Sequence, residues 1–335
     1  KNFIEKYTVG FEEFKKYVTG DKNNKPCTPD WASSITGISV KKINYLYEKI
    51  ITKKTLISMS WSLQRAARGE QPLWMGITLA SMLGNIGTAY GGFGFGYSAV
   101  NSTGDIFDKI KWPSLPQSKN KIKSFIPVAR ITDMLNNPDK YFLYDGKKRK
   151  YPKIKLIYWA GGNPFHHHQD LNKLVKAWQK PDTVIVNEIW WNAQARHADI
   201  VLPANTALER NDIMLNPRDP TIIANHKMLE NIGTSKSDYE IFSALSNKLG
   251  FYKKFTRGLS EKEWLKLLWD KAIIEAKKHN INLPVFNSFW KKGYFEQPAL
   301  KKEKIMFEDF RLNPLKNKLN TPSGKIEITS KNIKK

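Results

Sequence analysis

The segment around residues 157–169 constrains the fold of this chain more than any other part of the sequence. An apolar run from Ile157 to Ala160 leads into Gly161-Gly162 and then Asn163-Pro164. Glycine allows the backbone to approach a ligand that a Cβ atom would exclude. We therefore predict a strand, a ligand-contacting turn and a helix over residues 169–179 whose N-terminal amides face an anion.

Two further apolar segments extend this pattern. A strand is predicted over Thr183–Glu188, where the terminal acid can accept hydrogen bonds from a base or ribose edge, and another over residues 196–203. The order strand, turn, helix, strand, loop, strand is typical of a parallel sheet whose loops gather at the carboxyl ends of its strands. A glycine turn alone is weak evidence for a nucleotide site, so the three segments carry the prediction together.

The rest of the chain adds elements around this sheet. Residues 54–60 are predicted to form a buried strand, and residues 71–85 a buried helix, because apolar residues occupy more than one of its faces. Prolines break residues 101–150, which are predicted to be irregular. Short helices are predicted to begin at Pro29 and Ser39, a glycine loop over residues 84–96, and further helices over residues 238–249, with Ser237 and Glu240 spaced as a capping box, and over residues 261–278.

Composition excludes some classes of protein. The 55 Lys and Arg residues against 31 Asp and Glu give a formal charge of +24, yet the lysines are dispersed and accompany no nucleic-acid motif, so we predict solvated surfaces and no nucleic-acid partner. No apolar run is long enough to span a membrane. The single cysteine, Cys27, excludes an intrachain disulfide and a cysteine-ligated iron–sulfur cluster within this segment. Consecutive histidines point in different directions, so no metal site is predicted at residues 166–168.

Several motifs occur together and in a fixed order. They are residues 61–65 (WSLQR), 69–72 (GEQP), the glycines at 91, 92, 94 and 96, residues 161–170 (GGNPFHHHQD), 195–203 (ARHADIVLP) and 208–212 (LERND). With these motifs the chain resembles the molybdopterin oxidoreductases, the dimethyl sulfoxide reductase family. Within the family it is most similar to the branch of trimethylamine N-oxide, dimethyl sulfoxide and biotin sulfoxide reductases, and the resemblance covers nearly the whole chain.

The resemblance implies an α/β fold of two nucleotide-binding-like, Rossmann-like domains with parallel sheets, one inserted in the other. The expected division is residues 1–105 for the first part of one domain, 106–215 for the inserted dinucleotide-binding domain, 216–320 for the return, and 321–335 for a linker to a last cofactor-binding domain. Family members are more than twice as long. The chain is therefore expected to be an internal fragment, inactive alone, with the serine ligand of molybdenum outside it.

The implied function is reduction of trimethylamine N-oxide, or a related N-oxide or S-oxide, by oxygen atom transfer to molybdenum held by two molybdopterin guanine dinucleotides. Biotin sulfoxide or dimethyl sulfoxide reduction is the alternative. The family's respiratory N-oxide reductases imply anaerobic respiration, a periplasmic location and a c-type cytochrome as electron donor. Biotin sulfoxide reductases imply a cytoplasmic location instead.

The resemblance also assigns residues. The match implies that Trp61 and Arg65 line the substrate funnel, and that Glu188, where many relatives carry Asp, reads a guanine edge. The remaining implied cofactor contacts are Ser62, Gln64, Gly162, Asn163, His166, His168, Arg196 and His197. No metal ligand is expected in this segment.

Two other functions stay open at this point. A nicotinamide-dependent dehydrogenase fits a doubly wound sheet, but no Gly-x-Gly-x-x-Gly opens a helix after a strand with an acid about 20 residues further on. A basic nucleic-acid-binding protein fits the charge, and a steep salt dependence of binding would distinguish it.

Overall fold

The structure is a computed structural model that describes residues 2–97, 99–101, 103–117 and 119–330. The chain divides into two compact units. Unit 1 contains the residues up to Phe107 and those from Ala299 onward, and unit 2 is Asp108–Pro298. Each unit has its own sheets and its own core.

Helices and strands alternate along the chain, as an α/β fold requires. The helices are α1 Asn2–Tyr7, α2 Phe11–Thr19, α3 Pro29–Thr36, α4 Val40–Thr52, α5 Glu70–Leu83, α6 Ile131–Asn136, α7 Pro164–His167, α8 Leu171–Trp178, α9 Asp238–Lys248, α10 Tyr252–Thr256, α11 Glu261–Lys277, α12 Phe286–Lys292 and α13 Glu308–Leu312. The strands are β1 Thr8–Val9, β2 Leu56–Ser58, β3 Gly92–Gly94, β4 Tyr141–Tyr144, β5 Lys147–Lys150, β6 Leu156–Ala160, β7 Thr183–Glu188, β8 Ile200–Pro203, β9 Asp212–Asn216, β10 Asp219–Asn225, β11 Tyr294–Glu296 and β12 Ile326–Glu327. Single 3-10 turns lie at Trp61–Arg65, Val128–Arg130, Ala195–His197 and Ala207–Glu209.

Unit 1 is built from two short parallel strand pairs, β1 with β12 and β2 with β3. Helix α5 ends at Gly84, which adopts the left-handed conformation that favours glycine at a helix end. The Arg311 guanidinium donates to the carbonyls of Gly84 and Ile86 at 2.7 and 2.8 Å, which ties the end of α5 to α13. The core between these elements includes Phe3, Tyr7, Ala80, Ile86, Phe93, Phe310 and Ile326.

Unit 2 contains a parallel sheet in the order β6-β7-β8. Ile157 pairs with Val184, and Val186 pairs with Val201, so the three strands run in register. Helix α8 covers one face of the sheet with Leu174 and Trp178, both fully buried. Because the strands are parallel, the loops after β6, β7 and β8 all leave from one edge of the sheet. The predicted α/β chain with parallel sheets is confirmed.

A second core in unit 2 joins α11 and α12 to the antiparallel sheet β9-β10-β11. Trp269 and Phe289 stack at its centre with ring centroids 3.7 Å apart, and Ile110 and Trp112 pack into the same core. We expected the chain to return to the first domain near residue 216, whereas it rejoins unit 1 near residue 299, because this shared core holds residues 216–298 in unit 2. Compact units and evolutionary domains need not share their ends, so the domain assignment stays a prediction.

Two predictions of burial are wrong. Strand β2 forms within residues 54–60, but Leu56 is 41% exposed. Helix α5 buries Gly76, Ala80 and Ser81 on one face, while Met75 and Met82 on another face are about half exposed. An apolar residue on another face of a helix is buried only if a further helix or strand packs against that face. The apolar periodicity of the sequence does not show whether such an element is present.

Residues 101–150 are more regular than predicted. They contain α6 and the hairpin β4-β5, whose turn residues Asp145 and Gly146 both have positive φ. An Asp-Gly pair between two strands is the strongest short-range hairpin signal. The hairpin was therefore predictable from the Asp-Gly pair, but the prolines on either side favoured the prediction of an irregular segment.

Candidate cofactor and substrate site

The turn after β6 has the open backbone that the sequence predicts. Gly161 and Gly162 adopt φ of 79° and 75°, and a Cβ atom built at either would meet no heavy atom within 4 Å. The Gly161 carbonyl accepts a hydrogen bond from Trp159 Nε1 at 2.9 Å, which fixes the turn against its own strand. The outer surface of both glycines is therefore free for a ligand to approach the backbone.

Asn163 follows the glycines and begins the one-turn helix α7. Its Oδ1 accepts the Phe165 backbone N–H at 3.0 Å, while its buried Nδ2 has no hydrogen-bond partner. An unsatisfied buried donor costs about 1–3 kcal/mol. The Asn163 amide therefore offers a hydrogen bond that a bound ligand would satisfy.

The predicted anion site at the next helix is wrong. Helix α8 begins at Leu171, and Asp170 is its N-cap residue, with Oδ1 accepting the Lys173 N–H at 3.3 Å. The other carboxylate oxygen of Asp170 lies 2.7 Å from Lys173 Nζ. A carboxylate already occupies the N-terminus of the helix, and it would repel a phosphate there.

The histidines near this turn differ in their surroundings. His166 is exposed, whereas burial, reinforced by the charge of His167, lowers the pKa of His168. The His197 ring stacks on Phe165 with centroids 4.5 Å apart, and its Nδ1 lies 2.6 Å from the Ala193 carbonyl. That contact requires a proton on Nδ1, so neutral His197 presents Nε2 as an acceptor. In the part of the chain that the structure describes, no three His, Cys, Asp or Glu side chains group as a metal site would require.

The loop after β7 carries the acid and an exposed aromatic pair. Glu188 Oε1 accepts the backbone N–H groups of Ile189 and Trp190 at 2.9 and 3.4 Å, which orients the carboxylate at the strand end. Trp190 and Trp191 are 71% and 65% exposed. We did not predict a role for these tryptophans from the sequence, although two adjacent aromatic residues, separated from a strand-ending acid only by Ile189, were a usable signal.

The turn before β8 contains one polar group that the sequence did not reveal. Gln194 is fully buried, and neither its Oε1 nor its Nε2 has a hydrogen-bond partner. Arg196 is exposed, and its side chain has no ion-pair partner among the described residues. Residues 196 and 197 lie in a 3-10 turn rather than in β8, and Asp199 is structural, since its Oδ2 accepts the Val184 N–H at 2.8 Å. Gly162, Asn163, His166 and His168 thus follow β6, Glu188 ends β7, and Arg196 and His197 lie in the turn before β8, all within unit 2.

The other predicted residues lie together in unit 1, on the 3-10 turn Trp61–Arg65. Ser60 caps this turn, and its Oγ lies 2.7 Å from Ser62 Oγ. The Trp61 ring is 40% exposed and meets the edge of Phe95 at 6.3 Å between centroids. A Cβ atom at Gly96 would approach Trp61 to 3.2 Å, so this glycine admits the indole.

Gln64 and Arg65 are the free polar groups of this turn. Both are exposed, and neither side chain makes a hydrogen bond or ion pair with the residues that the structure describes. A Cβ atom at Gly69 would approach the Gln64 carbonyl to 2.5 Å, so glycine is required behind the turn. The turn therefore presents an indole, an amide and an unpaired guanidinium on one short segment.

A buried carboxylate holds the loop between β8 and β9. Glu209 is 3% exposed, and its Oε2 accepts from the Thr206 N–H and hydroxyl at 2.8 and 2.9 Å. Its Oε1 accepts from the Ile232 N–H and the Ser235 hydroxyl at 2.7 and 3.1 Å. These hydrogen bonds, with the Thr206 and Ile232 amides contributing most, lower the pKa of Glu209 to about 2.

Replacing Glu209 with Gln is expected to destabilise the protein in a pH-dependent way. Because the pKa is lower in the folded chain, the carboxylate stabilises the fold above the pKa of unfolded glutamate and stops doing so as pH falls toward about 2. Denaturant titrations from pH 7 to pH 3 should show a deficit at neutral pH that narrows below about pH 4.5. Glu230→Gln, which breaks only an exposed contact with Lys227, is the control. A deficit that stays constant over this range would contradict the assignment.

The comparisons with known proteins agree with this geometry. An α/β chain whose loops gather at the ends of parallel strands belongs to the class of folds that bind nucleotide-like cofactors. The family model for molybdopterin oxidoreductases matches residues 17–248, and the chain belongs to that family. The suggested family is thereby confirmed, and its name implies a molybdenum–pterin cofactor.

Several curated proteins are similar over nearly the entire chain. The dimethyl sulfoxide/trimethylamine N-oxide reductase of Rhodobacter capsulatus is 42% identical over 100% of this chain and 42% of its own length. The biotin sulfoxide reductase of Cereibacter sphaeroides is 41% identical over 98% and 44%. The trimethylamine-N-oxide reductase of Haemophilus influenzae is 41% identical over 100% and 42%. The chain thus spans less than half the length of these relatives.

A solved structure supports the fold. Acetylene hydratase from Pelobacter acetylenicus matches 99% of this chain and 45% of its own chain with a TM-score of 0.58. The two sequences are 15% identical, so the match establishes a shared fold and nothing about the reaction. No helix among the described residues is both long and apolar enough to cross a membrane.

The residues in unit 2 fit a large polar cofactor. The backbone of Gly161 and Gly162 is open, the buried Asn163 amide lacks a partner, and His197 keeps Nε2 available. An imidazole, an amide and a guanidinium are suitable donors for phosphate or pterin oxygens. These segments of unit 2 therefore supply an open backbone and polar groups for such a cofactor.

Replacing Gly162 with Ala tests this interpretation. An alanine at φ 75° is expected to lower the free energy of unfolding by about 1 kcal/mol, since the left-handed conformation strains a Cβ atom. Gly250→Ala is a matched control, because Gly250 has φ 78° and equally open space. Both variants should lose the same stability in denaturant titrations, but only Gly162→Ala should lose bound cofactor, measured as molybdenum per protein. Equal molybdenum content in the two variants would exclude Gly162 from the site.

Proposed function

We propose that the protein carrying this sequence is a molybdenum-dependent oxo-transfer reductase that reduces trimethylamine N-oxide or a related N-oxide or S-oxide. The similarity to reductases of these substrates, at about 40% identity across nearly the whole chain, carries the proposal. Dimethyl sulfoxide and biotin sulfoxide are the alternative substrates, since proteins named for them are equally similar.

The cofactor is proposed to be a bis(molybdopterin guanine dinucleotide) molybdenum centre, which when bound supplies the two-electron oxygen-transfer chemistry. Gly162 and Asn163 would contact a dinucleotide through the backbone and the free Nδ2 atom. His166, His168 and Arg196 would donate to phosphate or pterin oxygens, and His197 would accept a hydrogen bond from the cofactor at Nε2. The Glu188 carboxylate, held by two backbone amides, would accept from a guanine edge. No iron–sulfur cluster is proposed in this segment.

Substrate is proposed to meet Trp61 and Arg65. The exposed indole gives an apolar wall for methyl groups, and the unpaired guanidinium can donate a hydrogen bond to the oxide oxygen of the substrate. Donation to that oxygen polarises the N–O or S–O bond and favours its cleavage. Ser62 and Gln64 are proposed to contact the cofactor from the same turn.

The wider context is also a proposal. The chain would contain two Rossmann-like domains, one inserted in the other, with domain boundaries near residues 105, 215 and 320, which are not the ends of the two compact units. A respiratory N-oxide reductase would act in the periplasm during anaerobic respiration and take electrons from a c-type cytochrome. A biotin sulfoxide reductase would act in the cytoplasm instead.

A substrate comparison tests the proposal. The protein that carries this sequence, purified from its host after growth with molybdate, should oxidise reduced viologen dye when an oxide is added. The specificity constant is measured for trimethylamine N-oxide, dimethyl sulfoxide and biotin sulfoxide under one set of conditions. The highest value for trimethylamine N-oxide is expected, and a preference for biotin sulfoxide would select the alternative. Turnover of none of the three would contradict the proposed function.

A further inference from the structure

A partly open cavity of about 310 Å³ is lined by residues of unit 1. Its walls are contributed by α5, by the segment around β3, and by the residues from α13 to β12. Most of its lining is aromatic or aliphatic: Trp74, Ile77, Ile86, Phe93, Phe95 and Phe310. The volume is about twice that of the roughly 150 Å³ apolar cavity that accepts benzene in another protein.

Most polar groups around the cavity are already engaged. Trp74 Nε1 donates to the Glu327 carbonyl at 2.8 Å, and Thr321 Oγ1 donates to the Lys325 carbonyl at 2.7 Å. Asn101 donates through Nδ2 to the Phe95 carbonyl and accepts the Thr103 N–H at 2.8 Å through Oδ1. Glu327 Oε1 accepts the Ser323 N–H at 2.9 Å. Trp74, Thr321 and Asn101 are therefore engaged in hydrogen bonds within the protein, whereas Oε2 of Glu327 makes none with the described residues.

We propose that this cavity is a binding site for a small, neutral, apolar molecule of about the size of one or two aromatic rings. The guest would be bound by apolar contacts with the cavity walls. Its affinity should therefore increase with its apolar surface area and not with its hydrogen-bonding capacity. An anionic guest would be excluded, because its carboxylate would be buried without a partner beside the carboxylate of Glu327, at a cost far above what the apolar contacts return. The site is independent of the proposed reductase function.

Phe95 lies between the cavity and the turn Trp61–Arg65. Its ring lines the cavity and also meets Trp61 edge-on, with centroids 6.3 Å apart. Phe95 is thus the wall between the cavity and the turn Trp61–Arg65. A guest in the cavity would restrict this ring and, through it, one face of the Trp61 indole.

Thermal unfolding with benzene as the probe tests the proposal. Saturating benzene should raise the Tm of the protein by several degrees, since a ligand that binds only the folded state stabilises it. Ile77→Phe fills the cavity from α5 and should abolish the rise. Leu73→Phe is the matched control, because Leu73 lies one turn earlier on α5, packs on the same core and does not line the cavity, so the rise should remain. Benzoate should bind at least about tenfold more weakly than benzene.

The outcomes are distinguishable. If Ile77→Phe does not fold, Leu319→Phe fills the cavity from a different wall, and it too should abolish the rise. A benzene-induced rise that survives in a folded cavity-filling variant would overturn the proposal, as would equal binding of benzoate. Absence of any rise in the unmodified protein would also overturn it.

Discussion

Replacing Arg65 with Gln is expected to lower kcat/KM for N-oxide reduction by about 100-fold, the usual cost of removing a donor to an oxygen that gains charge in the transition state. The guanidinium is exposed and unpaired among the described residues, so it is free to reach a substrate oxygen. Glutamine keeps an amide donor on a shorter, uncharged side chain. Most of the loss should appear in kcat, with molybdenum content unchanged, if the hydrogen bond strengthens as the oxide bond breaks.

Arg68→Gln is the control for this prediction. Arg68 is also exposed and lies three residues further along the chain, so the variant removes the same charge from the same region. Its kcat/KM should stay within about twofold of the unmodified protein. Equal losses in both variants would indicate a general electrostatic effect, and no loss in Arg65→Gln would remove Arg65 from the catalytic site.

Replacing Trp269 with Ala should destabilise unit 2 by about 3–5 kcal/mol, the range for truncating a large buried aromatic residue. Trp269 is fully buried, stacks on Phe289, and donates from Nε1 to the Pro284 carbonyl at 2.8 Å. Denaturant titration gives the loss in the free energy of unfolding. Trp190→Ala is the control, since Trp190 is 71% exposed and its loss should cost no more than about 0.5 kcal/mol.

Amide hydrogen exchange on the same variant shows which elements share this core. Faster exchange is expected together in β10, α11 and α12, because these elements pack around Trp269. Helix α5 in unit 1 should keep its protection. Coupled loss of protection in α5 and α11, with β6 to β8 unaffected, would instead support the return to the first domain near residue 216.

The sequence was sufficient to predict a parallel sheet built from three strands, β6, β7 and β8. Strand β7 spans the predicted residues Thr183–Glu188, and Ser237 and Glu240 form the predicted capping box at the start of α9. Both features depend on short-range patterns: apolar runs bounded by turn residues, and a fixed spacing of side chains at a helix start. The local backbone of Gly161 and Gly162 was predictable for the same reason.

Features that depend on three-dimensional neighbours were not predictable. The carboxylate of Asp170 caps α8 and occupies the place where we predicted an anion. The sequence shows that residue 170 is an aspartate, but only the folded helix start shows that its side chain is the cap. The exposure of Met75 and Met82 on α5 depends on which elements pack beside the helix. The unpartnered amide of Gln194 is visible only once its surroundings are known.

Elemental analysis of the protein that carries this sequence, combined with acid release of its nucleotides, tests the central claim most directly. The protein is purified from its host after growth with molybdate. We predict molybdenum, with about two guanine nucleotides per metal, as a two-dinucleotide cofactor requires. If the folded protein contains no metal and no GMP, the account is contradicted, because the loops of unit 2 would then not bind the proposed cofactor.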